Sequence, residues 1–423
     1  MNVRLEYECQ LVDQPPGLCV DGIEPGHNVV VSAECIDSSS GLAYSSWAEF
    51  KAPASGMLRP TRQRPLAGTY KAADPFGLWW SMESTPKQPF SRNLSPVTTR
   101  ISAEVAGHPI AQMEFARPRI ALGVRSLPIR SGGLVATLFL PDAMDPAAGL
   151  IVAGGSEGGI GLAEELSALL ASHGFAALAL AYFGLPGLPQ QLVRIPLEYV
   201  EAAAESLLRR PEVAGSGVGI LGVSRGGELA LLLASVFPRV RAVVGYAASS
   251  VVWPGFTATQ EMPPAWTRGG MDLSFAVPRP RLPAADAAGP LASRSWFASA
   301  LRERRANSAL IPLERTKASF LLVSGGDDRV WPAQALARIA MRRLSGRCLH
   351  LNYASAGHGV GRAPGLPAAA TVRNGAMGLQ YALGGSRQGN AFSARDAWPR
   401  VLAFLRAHLA GARAAPRRLD VAS

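Results

Sequence analysis

The feature that most constrains this chain is the turn Gly222-Val223-Ser224-Arg225-Gly226, which lies between two apolar segments. Residues 217–221 before the turn have the composition of a buried strand, and residues 227–235 after it are rich in Leu and Ala, as in a buried helix. Glycine on both sides of the serine lets the backbone close a sharp strand-to-helix turn. Such a turn places the Ser224 hydroxyl beside the N–H groups at the helix start. A serine that only caps a helix remains the alternative, because Gly-x-Ser-x-Gly also occurs by chance.

Apolar segments and helix-forming segments alternate on both sides of this turn. Predicted strands lie at 149–153, 175–182, 217–221, 242–246, 320–324 and 347–353, after a predicted strand pair at 124–129 and 134–140. This alternation is typical of a parallel sheet with helices on its faces. A proline-rich insertion at 253–310, which includes Pro278, Pro280 and Pro283, interrupts it. An insertion at this place forms either a cap over the Ser224 turn or a plain loop.

The turn predicts a nucleophilic serine only if a base and a carboxylate accompany it. In the α/β-hydrolase fold the chain order is serine, then Asp or Glu, then histidine. Asp328 and His358 each follow a predicted strand, at the edge where such a sheet assembles its sites. We therefore predict a triad of Ser224, Asp328 and His358. Asp327 is the rival acid, and Asp328 is preferred because Pro332 follows it by four residues.

The other histidines fit the role of the base less well. His350 falls within a predicted strand, and His173 closes a predicted helix. The remaining three belong to the N-terminal region or to the last helix: His27, His108 and His408.

Acyl transfer at a serine also needs donors for the developing oxyanion. One is predicted to be the backbone N–H of Arg225, the residue after the nucleophile. The other is predicted to come from the glycine-rich loop 154–159, from Ser156 or Glu157. The glycines of this loop lack the spacing of a dinucleotide-binding fingerprint.

Residues 1–120 have the sequence pattern of a β domain. Short apolar stretches between turn signals predict an immunoglobulin-like β-sandwich at 1–120, followed by an α/β-hydrolase catalytic domain at 121–423. Trp47 is predicted to lie in the core of the sandwich. The apolar segment 74–82 is predicted to pack between the domains, with one wall of an acyl pocket as the alternative.

Composition limits the remaining possibilities. A chain of 423 residues with 48% hydrophobic and 17% charged residues is a folded protein, with more than one domain expected. No membrane span, signal peptide or nucleic-acid platform is recognisable, so a cytoplasmic location is predicted. The net charge of +11 comes mostly from arginine. The many arginines indicate either the nucleotide composition of the source or a basic surface that attracts a phosphate-bearing or acidic partner. Because the cysteines lack metal-ligand spacing, we expect no metal and no cofactor: Cys9, Cys19, Cys35 and Cys348.

Several stretches together resemble the acyl-CoA thioesterase / bile acid-CoA:amino acid N-acyltransferase family. In the catalytic domain they are residues 174–183, 220–234, 311–315, 322–331, 356–358 and 396–398. In the N-terminal domain they are residues 22–26, 68–70 and 74–82. The chain departs from the family pattern at Arg225 (usually lysine), at Gly227 (usually alanine) and after Gly359, which bears on acyl specificity.

The resemblance implies that Ser224, Asp328 and His358 act on an acyl thioester carried by CoA or by a carrier protein. The transferases of the family have cysteine as the nucleophile, so serine favours hydrolysis. The alternative is an acyltransferase that moves the acyl group to an amine or alcohol. A general carboxylesterase or peptidase is a third possibility.

Overall fold

The computed structural model describes residues 2–7, 11–255, 257, 261–279, 290–302, 304–369, 371–374 and 379–409. Cys9, Pro280 and Pro283, which the sequence analysis names, lie outside these residues. The predicted domain boundary near residue 120 falls between the last strand of an N-terminal sheet, which ends at Arg117, and the first strand of a larger sheet, which begins at Arg125.

Alternation of polar and apolar residues builds two antiparallel sheets in the N-terminal region. The smaller pairs β1 with β2, and the larger has the order β5-β4-β3-β7-β8, with β6 also paired to β4. The bounds of the elements are β1 Asn2–Leu5, β2 Leu18–Asp21, β3 Asn28–Ile36, β4 Ala43–Lys51, β5 Ala67–Gly68, α1 Gly77–Trp80, β6 Glu83–Ser84, β7 Val97–Val105 and β8 His108–Arg117.

The prediction that Trp47 is a core residue is wrong. Successive side chains in a strand point to opposite faces, and the buried residues of β4 are Tyr44, Ser46, Ala48 and Phe50. Trp47 is on the other face and is 44% exposed. An aromatic ring alone does not indicate which face of a strand is buried; the alternation of its neighbours does.

An eight-stranded sheet forms the second unit, in the order β19-β18-β15-β14-β11-β12-β10-β9. The pairs β9–β10 and β10–β12 are antiparallel and the other neighbours are parallel. The central strands are almost entirely buried, as expected for a sheet covered by helices on both faces. The strands are β9 Arg125–Ile129, β10 Ala136–Leu140, β11 Ala147–Ala153, β12 Ala176–Leu180, β14 Val213–Val223, β15 Val240–Tyr246, β18 Ser319–Gly325 and β19 Cys348–Tyr353.

Helices connect these strands, and the α/β-hydrolase fold predicted for the catalytic unit is confirmed. The helices are α2 Gly161–Ser172, α3 Leu197–Leu208, α4 Arg225–Val236, α5 Arg294–Leu301, α6 Ala333–Leu344 and α7 Arg387–Leu409. Short strands lie outside the main sheet: β13 Ile195–Pro196, β16 Trp266–Arg268, β17 Met271–Asp272, β20 Thr371–Asn374 and β21 Leu379–Ala382. None of the helices in the described ranges is long and apolar enough to cross a membrane.

Candidate active site

Ser224 occupies a strained turn between β14 and α4. Its backbone has φ 57° and ψ −115°, a conformation that costs a non-glycine residue about 1–3 kcal/mol. The turn is held by two hydrogen bonds: the Ser224 N–H donates to Tyr246 O at 2.8 Å, and the Glu228 N–H donates to Ser224 O at 3.0 Å. A Cβ at Gly222 would collide with Gly226 O, and a Cβ at Gly226 would collide with the loop after β11. Both glycines are therefore required by close backbone approach.

The structure brings together the three side chains predicted for the triad. His358 Nε2 lies 2.9 Å from Ser224 Oγ, and His358 Nδ1 lies 2.8 Å from Asp328 Oδ2. Asp328 is fully buried, and its Oδ1 accepts the backbone N–H groups of Val330 and Trp331 at 2.9 and 3.1 Å. The carboxylate is thus held on two sides and presents its second oxygen to the imidazole. This arrangement orients His358 to exchange a proton with the serine hydroxyl.

The rival acid, Asp327, faces away from the imidazole. Its Oδ2 accepts the Gly385 N–H at 2.9 Å, and its Oδ1 lies 3.6 Å from Arg329 Nε. The side chain is 47% exposed. Asp327 therefore stabilises the loop that carries Asp328.

The competing histidines have partners of their own. His350 Nε2 lies 2.7 Å from Ser324 Oγ, on the adjacent strand, and His173 Nε2 lies 2.6 Å from Asp13 Oδ2. Within the described residues, the only histidine that hydrogen-bonds Ser224 is His358.

The predicted oxyanion donors lie beside Ser224. The N–H of Arg225 begins α4, where the first N–H groups have no intrahelical partner. A methyl group placed on Gly155 would lie 3.3 Å from Ser224 Cβ, so the loop after β11 adjoins the serine. The Tyr182 hydroxyl donates towards Gly154 O at 2.8 Å and Gly155 O at 3.2 Å. Because a trans peptide is planar, holding the Gly155 carbonyl towards Tyr182 turns the Ser156 N–H to the opposite side.

A buried ion pair that the sequence did not predict follows Ser224 in the first turn of α4. The Arg225 side chain turns into the protein, where Nη1 lies 3.2 Å from Glu228 Oε2 and Nη2 donates to Trp253 O at 3.1 Å. Glu228 Oε1 accepts the Trp253 N–H at 3.1 Å and Trp266 Nε1 at 2.7 Å. Burial raises the pKa of Glu228 to about 7 and lowers the pKa of Arg225. The spacing of three residues on a helix is the one signal that predicts such a pair.

Replacing Glu228 by alanine should lower the free energy of unfolding by about 3–5 kcal/mol, because Arg225 would be left as an uncompensated buried charge. Urea denaturation at pH 8 measures this. The matched control is Asp272→Ala, which breaks an exposed pair with Arg194 and should leave the unfolding free energy nearly unchanged. Equal losses of unfolding free energy in the two variants would contradict the larger contribution expected of the buried pair.

A largely apolar cavity opens beside Ser224 and is lined by both units of the chain. Segment 74–82 folds as α1 and its flanks, packs against α7 of the second unit and also lines the cavity. The packing interpretation is confirmed, and the acyl-pocket interpretation stays a prediction. The insertion 253–310 contributes the side chain of Phe297. The apolar lining includes Phe76, Trp80, Leu162, Phe297, Leu366 and Leu383.

Two family profiles match this chain. A profile described as "BAAT / Acyl-CoA thioester hydrolase C terminal" matches residues 195–411, and one described as "Acyl-CoA thioester hydrolase/BAAT N-terminal region" matches residues 13–131. The two matches follow the same order as the β domain and the hydrolase domain of the structure.

Several curated proteins named acyl-coenzyme A thioesterases are similar to this chain over most of its length. The mouse (Mus musculus) acyl-coenzyme A thioesterase 5 is 31% identical over 94% of this chain and 94% of its own length. The mouse acyl-coenzyme A thioesterase 3 is 32% identical over 95% of this chain and 92% of its own length. The human (Homo sapiens) acyl-coenzyme A thioesterase 1 is 31% identical over 94% of both chains. With matches of this extent in both domains, the chain belongs to the acyl-CoA thioester hydrolase/BAAT family.

Proposed function

We propose that this protein hydrolyses acyl-CoA thioesters through a covalent acyl-serine intermediate. The observation that carries the proposal is the hydrogen-bonded chain from Ser224 Oγ through His358 to the buried Asp328, at 2.9 and 2.8 Å. It lies at the apolar cavity, as the acyl group of such a substrate requires. Relatives named acyl-coenzyme A thioesterases support the choice of substrate.

In the first half of the reaction, Ser224 Oγ attacks the thioester carbonyl carbon while His358 Nε2 takes the hydroxyl proton. Asp328 holds the imidazole in the tautomer that accepts this proton and stabilises the imidazolium that forms. Collapse of the tetrahedral intermediate breaks the carbon–sulfur bond. His358 returns the proton to the sulfur, and CoA leaves as the free thiol.

In the second half, water replaces CoA. His358 Nε2 removes a proton from the water as its oxygen attacks the ester carbonyl of the acyl-serine. Breakdown of the second tetrahedral intermediate releases the carboxylic acid, and His358 returns the proton to Ser224 Oγ.

The negative charge of both tetrahedral intermediates needs fixed donors. We assign these to the backbone N–H groups of Arg225 and Ser156, with Tyr182 holding the loop that carries the second one. A single donor of this kind contributes about 3 kcal/mol to the transition state. The backbone N–H of Glu157, the next residue of the same loop, is the alternative second donor.

Release of free thiol from a panel of acyl-CoA esters, without any added amine, tests the proposed function. We expect one free acid for each CoA released, across acyl groups of several lengths. Amide formation is measured in parallel with added amines, and acyl-carrier-protein thioesters serve as a second donor. Thiol release that occurs only when an amine is present would favour an acyltransferase and contradict the hydrolase.

The cytoplasmic location stays a prediction from the sequence. Relatives of similar identity include the mouse acyl-coenzyme A thioesterase 2, which is named as mitochondrial. Fractionation of cells that express the full chain with a C-terminal tag tests the location, and enrichment in an organelle would contradict it.

A further inference from the structure

The N-terminal unit contributes Arg92 to the wall of the cavity beside Ser224. Its Nη1 lies 2.7 Å from Oε1 of Glu157, which belongs to the glycine-rich loop of the second unit. The two side chains are partly buried, at 26% and 28% exposed. Because both residues line the same cavity as Ser224 and His358, a substrate in the cavity would exclude water from the pair and strengthen its electrostatic effects.

Glu157 brings a carboxylate close to Ser224. A methyl group placed on Gly155 would lie 2.7 Å from Glu157 Oε2 and 3.3 Å from Ser224 Cβ, so the carboxylate and the serine flank one position of the loop. In the proposed mechanism, negative charge develops on the substrate oxygen at this same loop, where the Ser156 N–H is a proposed donor. An uncompensated negative charge on Glu157 would oppose that step, since like charges repel strongly in a site that excludes water.

The segment that carries Arg92 is anchored in the N-terminal unit. The Ser91 N–H donates to Asp37 Oδ2 at 2.7 Å, and Arg119 Nη1 donates to Ser91 O at 3.2 Å. Asp37 and Arg119 are both buried, at 1% and 2% exposed. Arg92 therefore reaches Glu157 from a backbone that the N-terminal unit holds in place, and the ion pair joins that unit to the loop beside Ser224.

No other cation takes the place of Arg92 at this carboxylate. The other arginines of the cavity wall have acceptors of their own: Glu228 for Arg225, Asp74 for Arg395, and the carbonyls of Phe90 and Pro367 for Arg362. Within the described part of the chain, Arg92 is the only cation with a nitrogen within 4.0 Å of a Glu157 oxygen. Loss of Arg92 would thus leave the Glu157 charge uncompensated.

We propose that Arg92 is a positioning residue for the hydrolase reaction, which holds Glu157 and compensates its charge beside the developing oxyanion. This inference rests on the proposed function and adds to it a role for the N-terminal unit, whose docking completes the site. Arg92 acts through Glu157 and does not touch the reacting atoms. Because the compensation matters most when the oxyanion forms, its loss lowers kcat more than it raises KM.

The test is a double-mutant cycle on the full chain, with thiol release measured from one acyl-CoA that the wild-type protein hydrolyses. Arg92→Gln should lower kcat by about 10- to 100-fold and change KM by less than about threefold. In the double variant, Glu157→Gln removes the uncompensated carboxylate, so most of the lost kcat should return. Arg92→Lys keeps the positive charge without the guanidinium fork and should lose less than Arg92→Gln.

Two inhibitors with the same acyl chain separate the charge from a purely structural link. A trifluoromethyl ketone analogue is attacked by Ser224 Oγ at its carbonyl carbon, the hydroxyl proton passes to His358, and the ketone oxygen becomes an anion. A CoA thioether analogue forms no such anion. In Arg92→Gln, the inhibition constant of the ketone should rise by about the factor by which kcat/KM falls, and that of the thioether should change by less than about threefold.

The exposed pair of Arg100 with Glu114, at 3.5 Å on the N-terminal sheet, supplies the control. Arg100→Gln should leave kcat nearly unchanged, because an exposed ion pair contributes little to stability. A loss in Arg100→Gln as large as that in Arg92→Gln would trace the effect to general damage of the N-terminal unit and overturn the inference.

The remaining outcomes are distinct. If the wild-type protein releases no thiol from any acyl-CoA, the proposed function fails. If it does, and Arg92→Gln keeps more than about half of the wild-type kcat, only this inference fails. Equal losses in both single variants and in the double variant, with both inhibitors weakened alike, would show a structural link only and overturn the charge role. If Arg92→Gln does not fold, Arg92→Lys with and without Glu157→Gln takes its place in the cycle, and the same order of kcat values is expected.

Discussion

Replacing Ser224 by alanine should lower kcat for acyl-CoA hydrolysis by about four to six orders of magnitude, as for removal of the nucleophile in other triads. The reason is that the proposed mechanism carries the acyl group on Ser224 Oγ, the atom that His358 Nε2 contacts at 2.9 Å. Alanine removes one oxygen from a turn that is held by backbone hydrogen bonds and by close packing of glycines, so the fold should persist. Thiol release from a good acyl-CoA substrate, measured with a high enzyme concentration, checks the result.

The chain offers a matched control for this variant. Ser324 is also a buried serine whose hydroxyl lies 2.7 Å from a histidine, His350, but it also donates to Asn352 Oδ1 at 2.9 Å. Ser324→Ala should therefore change kcat by less than about tenfold. If Ser324→Ala lost as much activity as Ser224→Ala, or if Ser224→Ala kept more than a few per cent of the wild-type rate, the assignment of the nucleophile would be wrong.

Replacing Asp328 by asparagine should lower kcat by about 10⁴-fold. The asparagine oxygen can still accept the N–H groups of Val330 and Trp331, which Asp328 Oδ1 accepts at 2.9 and 3.1 Å. Its amide nitrogen then faces His358 Nδ1 and favours the tautomer that carries its proton on Nε2, where the base is needed. The variant thus keeps the geometry and removes the base, and steady-state kinetics of thiol release measures the loss.

Asp327→Asn is the control for this substitution, since the two acids are adjacent in sequence. Asp327 contacts Gly385 and Arg329 rather than the imidazole, so we expect a loss of kcat below about tenfold. Unfolding midpoints of both variants show whether either loss comes from misfolding. The reverse order, with Asp327→Asn the more damaging, would overturn the assignment of the acid.

The regular parts of the hydrolase sheet are the parts that could be predicted most closely. Predicted strand 320–324 is observed as Ser319–Gly325, and predicted strand 149–153 is observed as Ala147–Ala153. These segments have strong apolar periodicity, and tertiary packing agrees with it. The last helix begins at Arg387 and includes Gly389 and Pro399, so packing overrides the low helix propensity of these two residues.

The residues that support the site could not be predicted from the sequence, because their contacts join segments that are remote in the chain. Tyr182 ends the predicted strand 175–182 and has the sequence context of a core residue, yet its hydroxyl holds the loop at Gly154 and Gly155. Arg225 and Glu228 are three residues apart, but their burial depends on Trp253 and Trp266, which lie further along the chain and accept hydrogen bonds from them or donate hydrogen bonds to them.

By itself, the sequence determined the fold class, the strained serine turn and the order of serine, acid and histidine, because each depends on local backbone chemistry and on apolar periodicity. Only the tertiary structure decided which of two adjacent aspartates faces the imidazole, which face of β4 is buried, and how Arg225 and Glu228 pair inside the protein. Those choices depend on distances of a few ångströms between segments that are remote in the chain. Local sequence does not encode these distances; the packing of both units together does.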